Sequence, residues 1–328
     1  MRLWSRWVAL LDRKETGESL ALLRILLAAV VLWVLWDART IIEPLWLDVS
    51  HGGYRTISKP PWLIDALGGC TPAVIGRLML GCAASATLLL VGLLPRLNAL
   101  VCLQITMALS GINSHTSGSD DLLLSNALWL LVLSDSAATL SLTCRIRTGT
   151  WRSARQVSAW PRYLFIGQLV VLYWMTGLQK VSAHWVPGGD LGALYYILQQ
   201  PAWIRADLPG LAHVYALTQL ATLTTWSFEI GAPLLLLAMW FRDTRARSGR
   251  LRAVMNRLDY RSLFAVVGIG LHAGIQLLMD IGPFGLITLA IYPALWSPDE
   301  WRRLRRRRAH RQTPARPSRS KAPVPPAG

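Results

Sequence analysis

The chain has 328 residues, 53% of them hydrophobic and 16% charged, and 34 Lys+Arg against 18 Asp+Glu leave a formal net charge of +16. Those figures exclude a disordered protein and argue against an ordinary soluble domain. Long apolar runs alternate with short arginine-rich ones, the pattern of an all-α polytopic membrane protein.

In chain order, residues 1–18 carry acids and lack a small-residue cleavage site after a short apolar core, so this segment is not expected to be removed as a signal peptide. Eight apolar runs follow, at about 19–36, 72–94, 96–112, 121–134, 161–181, 211–240, 262–279 and 283–296. A helix of roughly 20 apolar residues crosses about 30 Å of hydrocarbon, so these runs predict a bundle of about eight transmembrane helices over 19–296. With eight crossings, 27 loop and terminal Lys/Arg fall on the side of the termini and four on the other, which predicts cytoplasmic termini in a cell membrane. Residues 297–328, a basic block followed by Pro, Ala and Ser, are expected to be disordered and to touch anionic lipid heads. No aromatic interleaving accompanies the block, so nucleic acid is not expected as a partner. The four cysteines have no close spacing, which supports neither a zinc site nor a disulfide framework, and no metal is expected.

A charge within a span requires a partner or a purpose, and Arg24, Arg77, Lys180, Glu229 and His272 stand out. Arg77 can snorkel to the interface, and Arg24 can do the same or pair with an acid inside the bundle. Gly231 and Pro233 follow Glu229, so either the helix breaks there or Glu229 is buried and paired, with Arg24, Lys180 and His272 as the available bases. Tyr173, Thr176, Gly177 and Lys180 share one helical face, at the end the charge count places outside. No carboxylate adjoins Lys180 in sequence, so desolvation is expected to favour a neutral amine able to act as a base; snorkelling of its ammonium is the alternative. His115, Asp120, Asp121, His184, Trp185, Asp190 and Asp280 fall at the same membrane depth, which suggests an outward-facing site.

The strings ALLRILLAAV, NSHTSGSDDLLLSNALWLLVLS, GLQKVSAHWVPGGDLGALYYILQQPAW, FEIGAPLLLL and LHAGIQLLMDIGPFGLITLAIY resemble successive motifs of the HTTM domain. That domain is the transmembrane region of vitamin K-dependent gamma-carboxylase and its bacterial relatives. The most specific piece is G-x-x-K-x-x-x-x-W-x-x-G, here Gly177, Lys180, Trp185 and Gly188. The resemblance implies Lys180 as the base that deprotonates a reduced lipid quinone of vitamin K or menaquinone type, with His115, which matches a histidine associated with the quinone pocket, as the second catalytic candidate. Together with the polar groups noted above, it gives an expected quinone pocket drawing on Trp185, His272, Tyr173, Glu229, Arg24 and Asp121. The expected activity is that of a quinol-dependent carboxylase or epoxidase in contact with membrane lipid. The alternative is a maturation or export partner for a secreted antimicrobial peptide, as in the similar sporulation-delaying protein B group.

Overall fold

Thr71, Pro72 and Gly92 illustrate how local chemistry sets the helices of this chain, which the computed structural model describes over residues 2–114 and 117–312. The Thr71 hydroxyl accepts from the Val74 N–H at 3.3 Å, Pro72 opens the first turn, and Gly92 closes the helix at φ 76°, a left-handed conformation that side chains resist. Before that helix, the chain forms α1 (Arg2–Leu11), a short strand β1 (Lys14–Thr16) and α2 (Glu18–Ala38). It continues as α3 (Pro72–Val91), α4 (Pro95–Ser110), α5 (Ser119–Leu133), strand β2 (Gln156–Ser158) and α6 (Trp160–Gln179). Next come α7 (Tyr215–Ile230), α8 (Leu234–Asp243), α9 (Arg250–Leu258), α10 (Tyr260–Leu278), α11 (Phe284–Ile291) and α12 (Pro298–Gln312).

Helices α2, α3 and α10 are each long and apolar enough to cross a membrane, and Leu211–Ile230 with Leu234–Asp243, bent by 56°, is a fourth candidate if the pair counts as one span. The bend falls at Gly231–Pro233, where proline removes a backbone donor. All eight apolar runs contain helix, and three or four of them qualify as spans by length and composition, fewer than the eight expected from the sequence. At 1.5 Å per residue, α4 and α5, with 16 and 15 residues, reach about 24 and 22 Å, short of the ~30 Å hydrocarbon core. Helix α11 has 8 residues. Helix α6 has the length, yet Arg162, Gln168 and Gln179 dilute it.

Helix α2 packs on α3, α3 on α4 and α4 on α5, while α11 fits against α2, α5 and α6. Leu23 and Leu27 of α2, Leu128 of α5, Phe165 of α6 and Ile287 of α11 are buried together in this core. Around it the surface is apolar too, with Leu80 of α3, Val171 of α6 and Leu277 of α10 exposed, as lipid-facing positions require.

Arg24 is fully buried yet has no carboxylate partner among the described residues. Its guanidinium donates to the carbonyls of Ser136 and Leu140, each at 2.6 Å, and of Leu90 at 3.5 Å, tying α2 to the chain after α5 and to the end of α3. It therefore neither snorkels nor pairs with an acid, contrary to both expectations from sequence. Exposed Arg77 places its Nε 3.0 Å from the Ala73 carbonyl one turn earlier.

The arginine-rich loops are knitted by ion pairs. Strands β1 and β2 pair antiparallel, with Glu15 opposite Val157, and Glu15 meets the buried Arg162 guanidinium through bonds of 2.8 to 3.0 Å. Composition suggested a disordered tail from residue 297, but Pro298–Gln312 is helical. Glu300 anchors this helix, accepting from Arg261 at 3.0 and 3.1 Å, from the Ser297 N–H at 2.9 Å and from Arg242. Burial alone would raise the Glu300 carboxyl, but the Arg261 hydrogen bonds, the Ser297 N–H and the charges of Arg261 and Arg242 outweigh it and hold the pKa at about 2, below the ordinary 4.5. A depressed value in the folded state stabilises above the unfolded pKa and is lost as pH falls towards the folded one. Solubilised protein is expected to lose melting temperature between about pH 5 and pH 2, with a smaller loss in Glu300→Gln, which starts lower at neutral pH. Equal acid slopes for the two proteins would contradict this assignment.

Candidate functional site

Gly177 is the residue that brings the site together. A Cβ placed on it would lie 2.9 Å from Glu229 Cβ and 3.0 Å from the Ile230 nitrogen, so only a glycine lets α6 approach α7 this closely. Two residues later α6 ends at Gln179, and Lys180, whose N–H reaches the Gly177 carbonyl at 3.2 Å, turns its side chain onto Glu229. Lys180 Nζ contacts both carboxylate oxygens of Glu229. The two side chains are 16% and 6% exposed, and the Trp185 ring covers Nζ with its centroid at 4.7 Å. The sequence left open whether the helix breaks after Glu229 or Glu229 is paired; both occur, and of the three candidate bases Lys180 is the partner. The isolated amine expected at Lys180 is thereby corrected, because an acid 49 residues away in sequence supplies what the neighbouring sequence lacks.

This pair forms part of the wall of a cavity of about 580 Å³ between α6, α7 and α10. The wall also includes Tyr173, Thr176, Trp185 and His272, and is otherwise mostly aliphatic, from Leu217 and Leu220 of α7 to Leu271 and Ile275 of α10. A second hollow of about 450 Å³, lined by Leu208 to Leu211 and Val214, shares Leu194, Leu198, Leu217, Ala221 and Leu278 with the first. On the far wall, Tyr173 Oη is 2.7 Å from His272 Nε2 and 2.7 Å from Tyr292 Oη. His272 Nδ1 is buried without a hydrogen-bond partner and lies 3.4 Å from where a Cβ on Gly285 would sit. The hydroxyls of Thr176, Thr224 and Thr225 donate to the carbonyls one turn back on their own helices.

Tyr173, Lys180, Trp185, Glu229 and His272 thus line one cavity. Two other assigned residues do not. Arg24 is committed to backbone carbonyls away from it, and Asp121 accepts from the Gly118 N–H at 3.0 Å at the start of α5. An acid three residues into a helix that binds the N–H before it is serving the helix terminus. His115 lies outside the described residues. Outside the cavity lining, Asp190 accepts from His184 Nδ1 at 2.8 Å and from the Gly192 N–H at 2.9 Å, and these bonds, the Gly192 one first, hold its carboxyl below the usual range. Asp280 pairs with Arg205 at 3.4 Å.

The HTTM domain family model matches residues 13–245, more than half of the chain. The chain belongs to the HTTM family. The match takes in Tyr173, Lys180, Trp185 and Glu229 and stops before α10, so the likeness extends over one side of the cavity. No curated protein and no solved structure matches the chain. As an HTTM protein with three to four candidate spans, it is a membrane protein of the vitamin K-dependent carboxylase-like family.

Sequence reasoning missed Tyr292 and the use of the glycines in α10 of this HTTM protein. A Cβ on Gly268 would fall 1.9 Å from Tyr292 Oη, so that glycine houses the hydroxyl, while Gly270 and Gly274 line the cavity with nothing within 4 Å of their missing side chains. The i, i+4 spacing of Gly270 and Gly274 was the available signal, since it opens one helical face.

Proposed function

We propose that the cavity binds a reduced lipid quinone and that the chain is a membrane enzyme of the carboxylase-like class to which its family points. The observation that supports this best is the buried Lys180–Glu229 pair set in an otherwise mostly aliphatic wall. An ion pair can exchange a proton with an ionisable hydroxyl, while the aliphatic wall suits the hydrocarbon remainder of the same molecule. The volume of about 580 Å³ is of the size that small ligands occupy.

Lys180 and Glu229 would hold the polar head, and Leu217, Ala221 and Leu278, common to both hollows, would carry a hydrocarbon tail into the second one. A reduced quinone, when bound, supplies electrons and ionisable hydroxyls. The chain supplies a fixed charge pair at the head and an apolar lining that strengthens its electrostatics. Tyr173 and Tyr292 fix the His272 ring on the opposite wall. Purified protein incubated with reduced menaquinone and oxygen is expected to yield the quinone epoxide, detected by mass spectrometry. Absence of epoxide at every quinol concentration tried would contradict this reading.

A further inference from the structure

We propose that Glu229, rather than Lys180, accepts the proton from the bound ligand's hydroxyl, with Lys180 remaining a cation throughout. This inference rests on the quinol reading above and assigns the roles within that site. Two contacts favour the charged lysine. Both Glu229 oxygens face Nζ, and the electron-rich face of Trp185 lies over it at 4.7 Å. An ammonium has three donors and no lone pair, so a lysine held in this state cannot take up a proton. The carboxylate can. It has about four lone-pair sites and the ammonium satisfies only some of them.

Other acceptors on the wall are engaged or sealed. His272 Nε2 is bonded to Tyr173, and its Nδ1 has no exposed surface and lies beside Gly285. Hydroxyls of Thr176, Thr224 and Thr225 are far too weakly basic for the role, and their protons are given to backbone carbonyls. In the proposed step, the ligand's O–H bond breaks and a Glu229 Oε–H bond forms. The electron pair stays on the ligand oxygen, and the Lys180 ammonium, released from a carboxylate that has become neutral, offers its charge to that oxygen. Charge is conserved, no oxidant is involved, and the cation moves from one anion to another at the same site.

Infrared difference spectroscopy on the purified protein, before and after addition of reduced menaquinone, tests this, with native mass spectrometry reporting retained quinol. A protonated-carboxyl band is expected to appear on binding and to shift when glutamate is carbon-13 labelled. In Glu229→Asp, which keeps an acid in place, the band should follow labelled aspartate instead. Lys180→Arg keeps the cation and should keep the band, with turnover falling by no more than about tenfold, whereas Glu229→Gln should lose the band and at least about 100-fold in turnover. Quinol retained with no new carboxyl band in the wild type would overturn the assignment of Glu229 and leave the quinol reading standing. No retained quinol at all would remove both.

Discussion

Arg24→Leu is expected to abolish recovery of folded protein. The side chain is fully buried and donates to three backbone carbonyls, those of Ser136, Leu140 and Leu90. Leucine would leave all three unpaired in the interior at about 1–3 kcal/mol each, which together approach the whole stability of a typical domain, about 5–15 kcal/mol. Gly92→Ala should act in the same direction for a related reason. Its φ of 76° strains any side chain, and its Cβ would come 2.8 Å from the Arg24 guanidinium and 2.5 Å from Ser141 Cβ. Monodisperse Arg24→Leu protein with wild-type yield and melting temperature on size-exclusion and thermal scans would show that this anchor is dispensable.

The second large effect concerns the Lys180–Glu229 pair. Glu229→Leu strands the part-buried Lys180 ammonium and should destabilise by up to about 3 kcal/mol. Replacing both partners, in Glu229→Leu with Lys180→Met, should restore much of the melting temperature, because an apolar pair of similar volume has no charge to desolvate. The double variant should still fail to turn over quinol. Thermal scans of the two single variants and the double therefore separate folding from chemistry. A double variant no more stable than Glu229→Leu would mean that the pair is not coupled as its geometry requires.

Much of this was legible in the sequence. Apolar length marked the stretches that form α2 to α8, α10 and α11, because burial and lipid both select for apolar residues, and missed the arginine-rich α9. The number of crossings was less legible, since a run such as 121–134 reads the same whether it spans or packs inside the bundle. The tail beyond Ser297 misled for another reason. Its composition contains no core-forming run, but Glu300 meets Arg261 and Arg242 from other parts of the chain, and that anchoring appears only once the chain is folded. Within the site, Lys180 and Glu229 were visible as charges that apolar surroundings must justify, whereas their pairing depends on Gly177 allowing two helices to touch. Arg24 was conspicuous for the same reason and was wrongly drawn into the pocket. A buried arginine can be held by carbonyls at helix and loop ends instead of by an acid, and sequence does not distinguish the two.

Quinol retention by a cavity-filled variant tests the central claim most directly. Gly274 lines the cavity, and a Cβ there would have nothing within 4 Å, so the side chain introduced by Gly274→Leu starts in open space. A better helix former than glycine at that position should hold or raise the melting temperature. Native mass spectrometry after exposure to reduced menaquinone is predicted to show one quinol retained by the wild type and none by Gly274→Leu of equal stability. Undiminished retention by the folded variant would place the ligand elsewhere and contradict the account.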